Sequence, residues 1–331
     1  MIKQRAKQAL LDSGLIRLAG KLRRKGAAIL MYHSVLEDPS HLSDSLGGII
    51  HSRTVFEGQM KLIAGEFSPV TLEQVCHFVG GEGTLPERPV VVTFDDGYVD
   101  NFEMAMPILD QVGVPATFYV TVDCVENRRL PWPGRLRFSF RSTSRQTWKD
   151  ENDKTWNLST PTERESAYLA VCDRVAKMSG TVLEGYVARL ESDLEARLPE
   201  SAGQLMMTWD QVSALAQHGH IIGSHTLTHP NMAFVSVEDA RREFVESKQR
   251  MEAHVPTKIT HFSYPCPALF PNWTDQTAEE SRRAGYDTAV TTSAGLAHKG
   301  DNPLALRRVR PSKTVDGLRW NLETAFAGRA V

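Results

Sequence analysis

The chain has 331 residues, a net charge of −2, 41% hydrophobic and 24% charged residues, the composition of an ordinary globular protein with a sizeable core in one large domain or two small ones. That balance gives no global electrostatic basis for binding nucleic acid, so no nucleic-acid partner is expected. No apolar run approaches the roughly 18 residues of a membrane span, and Cys76, Cys124, Cys172 and Cys266 lie too far apart for a metal-type pair and read as reduced, packed thiols.

Residues 1–26 carry Lys3, Arg5, Lys7, Arg17, Lys21, Arg23, Arg24 and Lys25 against the single acid Asp12, interleaved with Ile2, Leu10, Leu11, Leu15, Ile16, Leu18 and Leu22. This basic amphipathic segment reads either as a helix packed on the domain or as one making peripheral contact with an anionic membrane. Gly14 and Gly20 weaken any long helix there. A continuous apolar core and a small-residue cleavage site are both missing, so no signal peptide is expected and the cytoplasm is the expected location.

A first core strand is predicted over 27–35, with His33 at its C-terminal end, then a polar loop over 36–55 containing His41 and His51. A short strand over 67–72 leads into a helix carrying Leu72, Val75, Cys76 and Val79. Val90-Val91-Val92 form a β-branched run, the pattern of a strand buried on both faces, which ends in Asp95-Asp96-Gly97. A helix over 101–112 and a strand over 114–122 follow.

Residues 124–205 break this alternation. Residues 128–140 read as a basic, aromatic loop containing Trp132. Thr160-Pro161-Thr162-Glu163 is a capping-box pattern with proline at the first helical position; it opens a helix expected to bury Leu169, Val171, Val175 and Met178. A second helix carries Leu183, Val187, Leu190, Leu194 and Leu198. This helical insertion leaves from the C-terminal end of a strand, and it reads either as a cover over a substrate groove or as a structural addition.

Alternation then resumes. A helix capped at Thr208 ends at Gly219, and a strand runs to His225. Helices over 237–254, 274–285 and 315–326 alternate with strands over 259–265, 286–292 and 305–309. Eight strand signals with mostly helical connections predict an α/β fold, a (β/α) barrel over 27–328.

Two clusters sit just past strand ends, where barrel enzymes place their sites. Asp95 and Asp96 are adjacent like charges that need a cation or a shared proton, although the same residues would serve a plain Asp-Gly turn. His225 and His229 are four apart, a spacing that suits either metal ligation or a hydrogen-bonded structural pair. Thr93-Phe94-Asp95-Asp96-Gly97 and His225-Thr226-Leu227-Thr228-His229, in this order, resemble the first two motifs of the polysaccharide deacetylase (NodB-homology) family of carbohydrate esterases. Met31-Tyr32-His33-Ser34-Val35, Phe262-Ser263-Tyr264-Pro265 and Ala289-Val290-Thr291-Thr292 resemble the family too, so the likeness runs over about 27–311 apart from the insertion.

The resemblance implies an irregular barrel of seven or eight strands and a hydrolase that removes N-acetyl groups from amino sugars of a polysaccharide or a lipid-linked glycan precursor. It implies a divalent metal on Asp96, His225 and His229, with Asp95 as the base. Zinc suits those ligands best, and cobalt, nickel and iron also fit. The third motif implies an oxyanion donor at the backbone N–H of Cys266.

Two departures stand out. Ser263 occupies the place of a frequent family arginine, and Arg307-Arg308 follow Leu306 where a histidine acid is frequent. Arginine stays protonated and makes an implausible acid, so Arg308 is expected to pair with Asp95, and His33 or a water to protonate the departing amine; His33 also reads as a core histidine. Two alternatives remain open at this point: an amidohydrolase or deformylase acting on a small non-sugar amide, and an inactive glycan-binding protein.

Overall fold

A computed structural model describes residues 7, 10, 11, 13–21, 26–37 and 49–329. His41 and the basic residues Lys3, Arg5, Arg23, Arg24 and Lys25 lie outside the described residues.

The core is a mostly parallel sheet, nearly closed into a barrel. Its strands are β1 (Gly26–Tyr32), β2 (Ser68–Pro69), β3 (Pro89–Phe94), β4 (Ala116–Val120), β5 (Ile221–Ser224), β6 (His261–Ser263), β7 (Thr288–Ala294), β8 (Ala297–His298) and β9 (Leu306–Arg308). The path runs β8-β1-β3-β4-β5-β6-β7-β9, with β2 beside β3. β8 is antiparallel to β1, and the other pairs in the path are parallel. Closure comes at Val309: its N–H donates to the Ile29 carbonyl at 2.7 Å, and its own carbonyl accepts from the Met31 N–H at 3.2 Å.

All eight predicted strands are present, and β8 is an addition. Every residue of β1 and β3 is buried, as a sheet covered on both faces requires. Strand parity divides the core. Ala27, Ile29, Val91, Tyr119, Val290 and Leu306 meet in one cluster with the helix Leu72–Val79. Their neighbours Ala28, Leu30, Val90, Val92 and Phe94 pack outward against Phe56, Met60, Ile63, Leu318 and Leu322.

Two expected loops are partly structured. Within 36–55, Ile50–Ser52 pairs in parallel with Ser34–Leu36. Ser52 then caps the helix Arg53–Glu66, which buries Phe56, Gln59, Met60 and Ile63 at three- and four-residue spacing. Within 128–140, the chain enters the helix Trp132–Ser142, with a proline at its first turn and Trp132, Leu136 and Phe140 on its buried face.

The insertion also holds a hairpin of Thr147–Lys149 and Thr155–Asn157 and the helices Pro161–Val175 and Gly180–Asp193. It has a core of its own around Trp132, Phe140, Trp148, Val171, Leu183 and Leu190. Leu169, expected in that core, is 53% exposed: it falls on the outer side of its helix, while Ala167, Tyr168, Val171, Cys172 and Val175 face inward.

The N-terminal helix Leu15–Lys21 packs on the closing helix Val315–Phe326, with the Lys7 ammonium 5.0 Å from the Trp320 ring centre. Gly14, in the left-handed region at φ 69°, marks its start. No helix among the described residues is long and apolar enough to cross a membrane.

Candidate active site

The predicted site residues converge at the C-terminal ends of the strands. Asp95 and Asp96 follow β3. His225 and His229 follow β5, Cys266 follows β6, His33 follows β1 and Arg308 ends β9.

Both strand-end turns use conformations that side chains rarely adopt. Asp96 and Gly97 have φ of 78° and 90°, which swings Asp96 round toward the histidines. Thr226 and His229 have φ of 71° and 62°. Such residues cost of order 1–3 kcal/mol each and persist only where their surroundings over-determine them. Here the buried Glu243 does so: it accepts the N–H groups of Leu227 and Thr228 at 2.8 and 2.9 Å, together with the Thr228 hydroxyl. Burial pushes its carboxyl up to about 7, against the opposing hydrogen bonds from Thr228 and Leu227.

Asp96, His225 and His229 are all buried, with one ligand-type atom of each within 4.8 Å of the others. Asp96 Oδ1 lies 3.4 Å from His225 Nε2 and 3.2 Å from His229 Nε2. These distances are long for charge-assisted hydrogen bonds, but they match the edge, about 3.4 Å, of a tetrahedron with bonds of about 2.1 Å. Asp96 Oδ1 is otherwise a buried oxygen with no hydrogen-bond donor. His225 Nδ1 donates to the Ser263 carbonyl at 2.8 Å, which leaves Nε2 as a free lone pair aimed at the cluster. The donor set therefore fits a divalent cation. Burial pushes the Asp96 carboxyl up, but the two imidazoles more than offset this and hold it well below its usual range.

Asp95 has a different setting. Arg308, 2% exposed, donates from one terminal nitrogen to Asp95 Oδ1 at 2.9 Å, and its other terminal nitrogen lies 2.8 Å from Oδ2. The Arg308 Nε donates to the Thr291 carbonyl at 2.8 Å. Burial pushes the Asp95 carboxyl up, but the Arg308 guanidinium together with His225 and His33 outweighs it, so the group sits below the ordinary carboxylate value. Ser263, at the place of the frequent family arginine, is buried, and its hydroxyl makes no hydrogen bond.

His33 Nε2 is 3.9 Å from Asp95 Oδ2. Burial lowers its pKa despite both aspartates. Its backbone is fixed by residues that the motif search did not single out: Asn101 Nδ2 donates to the His33 carbonyl at 2.7 Å, and Asp100 accepts from the Ser34 hydroxyl at 2.6 Å and the Val35 N–H at 2.9 Å. The available signal was an acid and an amide just after Asp95-Asp96-Gly97-Tyr98. Asn101 also opens a π-helical turn, Asn101–Ala105, a feature frequent near functional sites.

A cavity of about 560 Å³ opens over this cluster. Asp95, Asp96, His33, His225, His229 and Cys266 all line it. The insertion adds Pro131, Pro133, Gly134, Arg137 and Tyr168 to its wall, so it borders the cleft while keeping its own core. It also reaches a candidate ligand directly, because the Trp132 indole N–H donates to the His229 carbonyl at 2.9 Å.

The family model for polysaccharide deacetylases matches residues 82–289, more than half of the chain. The chain belongs to the polysaccharide deacetylase family. As a member it is a hydrolase of the deacetylase type. YxkH of Bacillus subtilis (strain 168) is 21% identical over 290 residues, 87% of this chain and 72% of that protein. The Streptococcus pyogenes deacetylase PplD, solved in complex with acetate, superposes with a TM-score of 0.60 at 18% identity, covering 91% of this chain and 99% of its own. IcaB from Ammonifex degensii gives 0.55 at 20% identity, over 91% and 97%. These likenesses bear out the (β/α) barrel expected of the family. His33 and Arg308 lie outside the matched span, and Ser263 lies within it.

Proposed function

We propose that this polysaccharide deacetylase is a divalent-metal-dependent hydrolase that removes N-acetyl groups from amino sugars of a polysaccharide or a lipid-linked glycan precursor. The observation that carries this reading is the division of labour between two adjacent acids. Asp96 Oδ1 faces two imidazoles and no hydrogen-bond donor, whereas Asp95 is clamped by a buried guanidinium. Environments that differ so much assign different roles: one carboxylate binds and the other reacts.

Asp96, His225 and His229 would hold the cation, which lowers the pKa of a bound water to about 7 and polarises the acetamide carbonyl. Asp95 takes a proton from the attacking water. Arg308 orients that carboxylate and keeps it anionic. The Cys266 N–H would donate to the oxygen that gains charge, a role supported by the position of Cys266 on the cleft wall. When the C–N bond breaks, the amine needs a proton, and His33, on the cleft wall, would deliver it. Its 3.9 Å separation from Asp95 is long, as acid–base pairs without substrate often are. Burial raises the Cys266 thiol above its ordinary value, which argues against a nucleophilic role. The absence of an arginine at Ser263 is made good by Arg308, which supports catalysis over binding alone.

We further propose that the N-terminal helix seats the protein on an anionic membrane surface, because Leu15 and Leu18 remain 60% and 61% exposed beside basic residues.

The deciding experiment is metal analysis of protein purified without chelators, wild type beside His225→Ala, followed by acetate-release assays on N-acetylated oligosaccharides. The expected result is about one metal per chain, lost in the variant, and acetate release abolished by Asp95→Asn with the metal retained. A wild type that takes up neither zinc nor cobalt, or that hydrolyses only small non-sugar amides, would overturn the reading.

A further inference from the structure

Outside the reacting centre, the cleft is lined by three cations: Arg137 from the insertion, and Arg310 and Lys313 from the segment after β9. Among the described residues, the only carboxylates on its wall are Asp95 and Asp96. Asp95 is already paired with Arg308, and Asp96 is turned toward the histidines. The rim charges are therefore not balanced by acids within the cleft.

Their own partners differ. Arg137 is shared with Glu165 at 3.7 Å and stacks on the Tyr168 ring at 4.9 Å. Lys313 donates to the Ile50 carbonyl at 2.6 Å, which aims its ammonium along the cleft wall without neutralising it. Arg310 is exposed and makes no hydrogen bond or ion pair among the described residues. Arg310 and Lys313 immediately flank the Pro311-Ser312 step. That step is itself tied down, since the Ser312 carbonyl accepts from the Gln59 amide nitrogen Nε2 at 2.7 Å and from His51 Nε2 at 3.2 Å. Two cations on an anchored segment, in a cleft without free acids among the described residues, form a site of positive potential for a compact anion.

We propose that the glycan substrate carries an anionic group, a phosphate or a carboxylate, which Arg310 and Lys313 hold while the N-acetyl group lies over Asp96, His225 and His229. Arg137, reached from the insertion, supplies further positive potential to the same cleft. The inference deepens the deacetylase reading and rests on it for the second half of that statement. The first half, anion binding, stands on the cleft alone.

The test has two readouts. In the first, binding of N-acetylglucosamine 1-phosphate, an N-acetylated uronate disaccharide and neutral chitobiose is measured calorimetrically with Asp95→Asn protein, which needs no turnover. In the second, KM and kcat for acetate release are compared for phosphorylated, uronate-containing and neutral N-acetylated oligosaccharides, using wild type, Arg310→Ala/Lys313→Ala and Lys313→Arg. The wild type is expected to favour a charged ligand over chitobiose at least ten-fold, with the advantage in KM. In the double variant the preference falls toward one, and Lys313→Arg retains it. A phosphate preference points to a phosphate-linked precursor and a uronate preference to an acidic polysaccharide; either supports the site. Equal handling of charged and neutral ligands by wild type overturns it, as does an undiminished preference in the double variant. Anion-selective binding without acetate release from any substrate would instead sink the deacetylase reading and leave the anion site standing.

Discussion

Replacing Arg308 by methionine keeps the bulk of the side chain and removes its charge. Asp95, 1% exposed, then loses both guanidinium contacts, and the Thr291 carbonyl loses its donor. Removing one partner of a buried ion pair costs about 3–5 kcal/mol, and an orphaned buried carbonyl adds about 1 kcal/mol. A total of about 4–6 kcal/mol, set against an unfolding entropy of about 0.7 kcal/mol/K for a chain of this size, lowers the melting temperature by roughly 6–9 °C. The catalytic effect is separate. Without the guanidinium, burial dominates the Asp95 carboxyl and moves its pKa upward. Activity at pH 7 should fall about 100-fold or more, the scale of general-base catalysis, and the acidic limb of the pH–rate profile should move upward. Arg308→Lys keeps the charge without the planar fork and should be intermediate. In the Asp95→Asn/Arg308→Met double variant no charge is left unpaired, so it should be more stable than Arg308→Met alone. Thermal unfolding and a pH–rate profile decide the matter. An Arg308→Met protein with the wild-type melting temperature and profile would refute the reasoning, and so would strictly additive stabilities in the double-variant cycle.

Trp132→Phe removes the indole N–H that holds the His229 carbonyl along with part of a buried ring, and should weaken metal affinity about 10–100-fold, as losses of such outer partners do, measured by competition with a chelating dye. Burial depresses the pKa of both His51 and His261 to about 4. Each stays neutral in the fold but protonates near 6.5 when unfolded, so their contribution is complete above pH 6.5 and lost as pH falls toward 4, about 3 kcal/mol apiece. Urea melts of wild type and His261→Gln between pH 7 and pH 4 should show a shallower decline in the variant, and parallel declines would count against the assignment. Vesicles rich in phosphatidylglycerol should co-sediment the protein in low salt, phosphatidylcholine vesicles should not, and Leu15→Ser/Leu18→Ser should reduce the bound fraction; equal binding to both lipids would remove the membrane proposal.

The strands and their ends were legible because a buried parallel strand is written as a continuous β-branched run and because sites collect where such strands stop. Val90-Val91-Val92 before Asp95 and Ile221-Ile222 before His225 say both things within ten residues. The helix Arg53–Glu66 was not, since Phe56, Met60 and Ile63 are set among polar residues and glycines that resemble a loop. Prolines on both sides of Trp132 masked the helix of the insertion in the same way, although they open it. The Asp95–Arg308 pair spans 213 residues, and only barrel closure brings the two together. The expectation of that pair came from a gap in a motif rather than from any local pattern. The cleft wall was the least legible part. It is assembled from segments near residues 50, 133, 268 and 311, none of which carries a signature of its own.

The indole of Trp132 gives the insertion a constraint that its separate core would not suggest. A module with its own interior looks exchangeable, something a lineage could swap or discard to suit a new glycan. Yet one of its side chains grips the loop that presents His229. A transplanted or shortened insertion that reshaped the groove but offered no donor at this point would loosen a strained turn at the reacting centre. Drift in the module is thus tethered to the centre at a few atoms, the Trp132 indole nitrogen and the Gly180 N–H on the Thr228 hydroxyl among them, and chimeras between relatives are best cut so that the residue touching the His229 carbonyl travels with the strand it serves.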